Sequence, residues 1–172
     1  MISQSSYDEA PAAAKVLWDE QVATHGRMTN MKRTMAHSPV TLGSYMTWYP
    51  LKDEVAKVVG NRAAIIFAHA ISNETDCLIC STFFRKILIE WGENPDELKL
   101  SQEEQALVSL GRQLVTNYNQ VPAEMIIPFK DKYGEAFVVN LIGFAGIMIA
   151  TNLFNNVLQV DLDDYLGAFK KP

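Results

Sequence analysis

The chain has 172 residues, of which 48% are hydrophobic and 20% are charged, and its formal net charge is −5. This composition excludes a disordered chain and fits one globular domain with a single sizeable core. The net negative charge and the lack of a cluster of basic residues argue against nucleic acid as a partner. Residues 1–8 contain neither a basic region nor an apolar run, so we expect no signal peptide and a cytoplasmic protein.

Helical patterns run through the first half of the chain. Asp8 can cap a first helix that reaches about Thr24, a shorter helix covers residues 29–36, and Ser38-Pro39 starts the next. Pro50 interrupts that pattern, a further piece runs to Gly60, and Asn61 caps a strongly apolar helix through Ile71. No segment reads convincingly as a strand.

The second half is also helical. Asp76 caps a helix that ends near Trp91, and Ser101 and Glu104 form a capping box for a helix to about Asn117. Pro122 begins a helix to Lys132, a long apolar helix follows Gly134, and a short terminal helix begins at Asp161 or Asp163. Glycine and proline lie singly between helices, so the pattern predicts an all-α helical bundle that forms one domain over residues 1–172.

The apolar segment 136–160 carries no charged residue and is long enough to cross a membrane. Asparagines interrupt it at several positions, however, and basic anchors do not flank both of its ends. Gly143, Gly146 and Ala150 form a stripe of small residues that would let another helix approach closely. We therefore interpret the segment as the buried central helix of a soluble bundle and expect no membrane partner.

Cys77 and Cys80 are the only cysteines, and their spacing places both on one face of a predicted helix start. The partial positive charge of a helix N-terminus favours thiolate over thiol, so the pair suits a dithiol that attacks a substrate and closes into a disulfide. Half of a zinc site is an alternative, but a second cysteine pair is missing and the histidines show no ligand spacing. Two buried, inert cysteines are a further alternative.

Three segments carry a resemblance to a known family: residues 31–39, residues 61–85 around the cysteines, and residues 150–156. In their order and spacing they resemble the carboxymuconolactone decarboxylase and alkylhydroperoxidase D-like superfamily, whose signature helix-turn-helix would span about 61–91. The resemblance implies an all-α fold of the alkylhydroperoxidase D-like type, a homo-oligomer, and a thiol-dependent peroxidase or disulfide oxidoreductase without a prosthetic group or metal. It also implies that Cys80 attacks a peroxide or other small-molecule substrate, that Cys77 resolves the intermediate, and that an electron donor reduces the disulfide.

The chain departs from the family at two positions. Active peroxidases of the family resemble a pattern with a glutamate twelve positions before the first cysteine and a histidine four positions after the second, where this chain has Ile65 and Phe84. His69 lies one helical turn after Ile65 on the same face, and Glu74 lies in the turn before the cysteines. If the chain reverses at residues 73–76, His69 can face the thiols and act as acid and base.

Other roles for these residues remain open. His69 equally suits a hydrogen-bonded core histidine, and Glu74 can simply cap a helix. At the level of function, the missing relay residues leave room for a catalytically inert helical scaffold. A lactone decarboxylase-like enzyme that does not use thiols is another alternative, although the intact cysteine pair argues against it.

Overall fold

The structure, a computed structural model, describes residues 2–171 of the chain. Over these residues the chain forms eight α-helices and three short 3-10 helices, without a β-strand. The α-helices are α1 (Ala12–His25), α2 (Asn30–Met35), α3 (Pro39–Trp48), α4 (Leu51–Glu74), α5 (Leu78–Glu90), α6 (Gln102–Thr116), α7 (Ile127–Tyr133) and α8 (Glu135–Leu158). The 3-10 helices are Tyr118–Gln120, Ala123–Met125 and Asp164–Phe169. The prediction of an all-α fold is confirmed.

The second half of α4 is the central helix. Residues 63–72 are all buried, because α4 packs against α5, α6 and α8. A helix that is buried all round needs apolar residues on every face, which is why this stretch shows no polar side. Helices α4 and α6 approach each other closely at Gly111 of α6, since a Cβ atom there would lie 3.2 Å from Ile71 and 3.3 Å from Phe67.

The long helix α8 lies at the surface of the bundle. One of its faces is buried through Phe137, Leu141 and Phe144, but the side chain of Val139 is 69% exposed and that of Leu153 is 62% exposed. Our interpretation of this segment as the buried central helix is therefore wrong. The absence of charge was misleading because the outward face of α8 is itself apolar.

The small residues of α8 do allow a close approach, and the neighbour is the junction of α3 and α4. A Cβ atom at Gly143 would lie 2.9 Å from Leu51, and one at Gly146 would lie 3.1 Å from the ring of Trp48. Side chains at these two positions would push the junction away from α8. The glycines therefore bring Tyr49, which follows Trp48, against α8.

Several helix boundaries follow the predicted caps and others do not. Ser38 and Ser101 cap their helices through their hydroxyls, and Ser101 forms the predicted capping box with Glu104. The first helix begins at Ala12 after Pro11 rather than at Asp8. The helix predicted over residues 122–132 is a 3-10 turn followed by α7, because Pro128 lacks an N–H and fits only in the first turn of a helix.

Gly60 separates two helical pieces within α4, close to the predicted break. Its backbone angles, φ 85° and ψ 156°, belong to a region that is essentially restricted to glycine. The two pieces pack differently: the first contacts α8 near Gly143, and the second is buried in the core. The direction of the central helix therefore depends on this glycine.

Two helical stretches of the described chain, 39–74 and 135–158, are long and apolar enough to cross a membrane by length and composition alone. The most apolar window of the first stretch is 61% buried inside the protein, and that of the second stretch is 44% buried. Core helices of soluble proteins also meet this criterion, so it is weak evidence for a membrane. The absence of a membrane partner stays a prediction.

The kink in α4 gives a stability prediction. Replacing Gly60 with Ala should lower the free energy of unfolding by about 1–3 kcal/mol, because a Cβ atom is strained at these backbone angles. Gly43→Ala, inside α3, is the matched control. Its Cβ would meet only Leu17 at an ordinary 3.5 Å, so this variant should gain about 0.5–1 kcal/mol. Urea unfolding followed by circular dichroism measures both, and equal effects would contradict the role assigned to Gly60.

Candidate active site

The chain reverses between α4 and α5, as the run of turn-forming residues predicted. Asp76 takes a left-handed conformation with φ 52°, and Cys77 is extended at the N-cap position of α5. Asp76 was expected to cap this helix, and that expectation is wrong. The sharp reversal needs a left-handed residue, which aspartate tolerates better than most, so the cap position passes to Cys77.

The two thiols lie together on the first turn of α5, and both are free. Cys77 is 1% exposed and Cys80 is 7% exposed. The side-chain amide of Asn155, on α8, lies within reach of both sulfur atoms: its Nδ2 is 3.3 Å from Sγ of Cys80 and 3.9 Å from Sγ of Cys77. Three polar groups from two helices thus form one buried cluster.

The electrostatics of the pair are asymmetric. The pKa of Cys77 is lowered, because the thiol of Cys80 donates toward it and because Asn155 and the N–H groups of the first turn favour its thiolate. The pKa of Cys80 is raised, since its proton is held by Cys77 and burial disfavours a second charge. The pair therefore loses its first proton readily, and the charge rests mainly on Cys77.

Asparagines of α8 also hold the turn that presents the cysteines. The amide of Asn152 donates to the hydroxyl of Thr75 at 2.8 Å, and that of Asn156 donates to the carbonyl of Thr75 at 2.9 Å. Asn152 is completely buried. A buried amide is costly unless it is hydrogen-bonded, so these contacts fix the register between α8 and the turn.

A cavity of about 600 Å³ opens beside the dithiol. Of the two cysteines, Cys80 lines this cavity and Cys77 does not. The wall around Cys80 is largely apolar and includes Ile79, Phe83 and Phe84 from α5. A small molecule that enters the cavity would therefore meet the sulfur of Cys80 first.

Tyr49 and Thr151 add hydroxyl groups to the same wall. The two hydroxyl oxygens lie 3.0 Å apart. Burial, and to a lesser extent the nearby cysteine charges, raises the pKa of Tyr49, so the phenol keeps its proton throughout the neutral range. Tyr49 can therefore donate a hydrogen bond to an oxygen atom of a bound molecule.

His69 lies away from this cluster. Its Nε2 is 3.2 Å from the side-chain amide nitrogen of Asn73. Burial, together with the positive charge of Arg85, lowers the pKa of His69 to about 4, so the imidazole is neutral near pH 7. Within residues 2–171, His69 forms no hydrogen bond with either thiol, so the expected contact between them is not formed.

The other titratable candidate also points elsewhere. Glu74 ends α4, and its carboxylate lies 3.8 Å from the guanidinium of Arg112 on α6. Ile65 and Phe84, which occupy the relay positions of the resembled family, are both buried in the apolar core. The titratable groups gathered at the dithiol are therefore the thiols themselves and Tyr49.

Within the described residues, His, Cys, Asp and Glu side chains do not gather in groups of three or more that could hold a metal ion. The polar groups at the site are instead two thiols, two hydroxyls and an amide, which suit proton and thiol chemistry. No protein-family model and no curated protein sequence matches the chain. The resemblance to the alkylhydroperoxidase D-like superfamily stays a prediction.

Sequence reasoning missed Asn155, Tyr49 and Thr151 as members of the site. A signal for Asn155 was available, because an amide on a helix without charges needs a buried partner if it faces inward. Asn155 lies three positions after Asn152, so both share the inward face of α8. Tyr49 carries no such signal, since its position depends on the close contact between α8 and the α3–α4 junction.

The role of Asn155 gives a second prediction. Replacing Asn155 with Leu removes the donor shared by the two sulfur atoms, so thiolate formation should need a pH about one to two units higher. The rate of alkylation by iodoacetamide, followed by mass spectrometry across a pH series, measures this midpoint. Asn140→Leu changes another amide of α8, about four helical turns before Asn155, and should leave the midpoint unchanged. Equal midpoints in both variants would remove Asn155 from the site.

Proposed function

We propose that this protein is a dithiol peroxidase with a fold of the alkylhydroperoxidase D-like type, and that Cys77 and Cys80 reduce a peroxide. The observation that carries the proposal is the pair of adjacent free thiols, of which Cys80 lines a cavity while the amide of Asn155 lies within hydrogen-bond reach of both sulfur atoms. The lowered pKa of one thiol of the pair supplies the thiolate that an attack on a peroxide and the closure of a disulfide both need.

The first step oxidises Cys80. The thiolate of Cys77 accepts the proton of Cys80, and the sulfur of Cys80 attacks the terminal oxygen of the peroxide. The O–O bond breaks, Cys80 becomes a sulfenic acid, and the alkoxide takes a proton from water and leaves as an alcohol, with one hydroxide ion released to the solvent. Tyr49 donates a hydrogen bond to the peroxide oxygens without losing its proton.

The second step closes the disulfide. The sulfur of Cys77 attacks Cys80, the S–O bond breaks, and the hydroxide that leaves takes the proton of Cys77 and becomes water. The peroxide has gained two electrons, and the two thiols have become one disulfide. A dithiol reductant then exchanges with that disulfide and restores both thiols.

In this scheme Cys77 serves as the base that the missing glutamate and histidine would otherwise supply. The lowered pKa of Cys77 beside the raised pKa of Cys80 supports this assignment, since it favours Cys77 as the member of the pair that is deprotonated before the reaction. His69 as acid and base is the competing assignment. A neutral imidazole with a pKa of about 4 is a weak base, which favours Cys77.

The redox proposal predicts distinct fates for the two cysteines. One equivalent of a hydroperoxide should convert the wild type into an intramolecular disulfide, two hydrogens lighter by mass spectrometry. Cys77→Ser should accumulate a sulfenic acid on Cys80 that dimedone traps. Cys80→Ser should stay reduced and consume no peroxide, because its remaining thiol does not reach the cavity.

The same assay includes variants that separate the alternatives. His69→Gln retains a hydrogen-bonding side chain for Asn73 and should keep its turnover within about twofold of wild type, whereas loss of a general acid-base group costs about 10²–10⁴. A loss of that size would instead assign the role of proton relay to His69. Wild-type thiols that remain free under excess peroxide would support the inert scaffold instead.

We also propose that the protein is a homo-oligomer that associates through the outward face of α8. Val139, Ile142, Leu153 and Val157 are all exposed on one side of that helix, and Trp48, which is also exposed, covers Gly146 between the two pairs, so that these five apolar side chains form one stripe. An exposed apolar stripe of this length is typical of a protein interface. A second copy of α8 presents the same stripe, so two copies can cover each other around a twofold axis.

The oligomer prediction is tested by placing charges on the stripe. The double variant Leu153→Glu with Val157→Glu should be monomeric at micromolar concentration in sedimentation velocity, because carboxylates cannot be buried unpaired in an apolar interface. Val40→Glu is the matched control, since Val40 is exposed on α3 away from the stripe and should leave the assembly unchanged. A monomeric wild type would contradict the proposal, and wild type that sediments with lipid vesicles would assign the stripe to a membrane.

A further inference from the structure

The cavity beside Cys80 has a charged rim as well as an apolar wall. Its buried lining residues are mostly apolar, among them Phe84, Phe144 and Met148, whereas its basic lining residues are more exposed and so lie nearer the surface. The basic residues are His25, Arg27, Lys32, Lys52 and Lys86, and the acidic ones are Asp53 and Asp163. The rim therefore carries an excess of positive charge.

Most of these cations already have a partner. Lys52 lies 2.6 Å from the carboxylate of Asp53, and Lys86 lies 2.6 Å from that of Glu90. The guanidinium of Arg27 stacks over the ring of Tyr165 at 4.4 Å. Burial raises the pKa of Asp163, and the charge of Arg27 partly opposes this rise, so those two groups lie close enough to interact. The positive charge of these three residues is thus largely compensated.

Lys32 is different. Its ammonium donates to the neutral side-chain oxygen of Gln21 at 2.6 Å, and within residues 2–171 it forms no ion pair. Burial lowers the pKa of Lys32, which shows that the ammonium has lost part of its hydration. A desolvated cation in a cavity wall, with only a neutral amide as its partner, is a favourable position for an anion.

We propose that this cavity binds an organic carboxylate, with the carboxylate group on Lys32 and an apolar body against the wall that contains Phe84 and Met148. A volume of about 600 Å³ suits such a molecule, since small-molecule sites usually measure roughly 300–1,000 Å³. Burial and the charge of Lys32 lower the pKa of His25, so this imidazole is neutral near pH 7, and Lys32 is the one uncompensated cation among the described lining residues. One such cation indicates one negative charge on the ligand, and the aromatic and thioether side chains of the wall indicate an alkyl or aryl body.

The next step rests on the proposed function: the substrate of the dithiol is then a hydroperoxide that carries a carboxylate. The carboxylate holds the molecule at the rim, and the hydroperoxide group on its apolar body meets Cys80 on the inner wall. The reaction is that of the dithiol pair: the hydroperoxide becomes an alcohol, the thiols become a disulfide, and the carboxylate is unchanged. Neutral hydroperoxides lack the anchor and should react less efficiently.

Binding is tested first without redox chemistry, using octanoate as the probe and isothermal titration calorimetry as the measurement. Wild type should bind octanoate and should bind 1-octanol much more weakly. Lys32→Gln should weaken octanoate binding by about 10- to 100-fold and leave octanol binding unchanged. Lys57→Gln removes an exposed lysine outside the cavity and serves as the control for net charge; it should bind octanoate as wild type does.

The outcomes separate this proposal from the proposed function. Cys80→Ser should bind octanoate as wild type does, so a protein that reduces no peroxide can still confirm the carboxylate site. In peroxide assays, Lys32→Gln should lower kcat/KM for a fatty-acid hydroperoxide but leave that for cumene hydroperoxide unchanged. Equal binding of octanoate and octanol, no binding of octanoate, or unchanged octanoate binding in Lys32→Gln would each overturn the proposal.

Discussion

The hydrogen bonds between α8 and the turn before α5 determine where the reactive groups of this protein lie. Asn152 and Asn156 form hydrogen bonds with Thr75 at the end of α4. Asn155, which lies between them on α8, reaches both sulfur atoms. The turn itself needs a left-handed residue at Asp76, which leaves Cys77 at the helix N-cap. Because the amides of Asn152 and Asn155 are buried, a shift of α8 along the turn would leave them without hydrogen-bond partners, and the free-energy cost of that loss holds the thiols in place.

Sequence patterns located the helices because their signals are local. The capping serines, the break at Gly60 and the reversal before Cys77 each depend on residues within one or two turns of each other. The identity of the central helix was not predictable in this way. The central part of α4 and the whole of α8 are both apolar, and only the contacts of α4 with three neighbouring helices show which of the two is surrounded. The same distinction holds for the site. The spacing of the two cysteines is a local signal that the sequence shows, whereas the position of Tyr49 depends on the packing of Trp48 against Gly146, which the sequence does not show.

The apolar residues at the relay positions change how a proton can move at the dithiol. Ile65 and Phe84 make the surroundings less polar, and this raises the free energy of any isolated charge there. The pair meets this constraint by sharing a single charge. Cys77 holds it with the help of Asn155 and the first turn of α5, and Cys80 stays protonated until a substrate arrives. In the proposed reaction, a dithiol of this kind would therefore need no third titratable group for the first step.

In the proposed carboxylate site, the positive charge of Lys32 at the rim and the negative charge of the dithiol behind the inner wall would also select the orientation of a bound anion. The thiolate of Cys77 repels an anion, and its field extends to the hydroxyl of Tyr49, whose pKa it helps to raise. A carboxylate that enters the cavity is therefore disfavoured near the dithiol and favoured at Lys32, so the field orients the molecule as well as binding it. The uncharged end of the molecule is then the end that approaches Cys80. In the proposed reaction, proton transfer from Cys80 to Cys77 would move the negative charge onto the sulfur that lines the cavity, so the inner end of the cavity would stay negative until the attack and would keep the carboxylate at the rim.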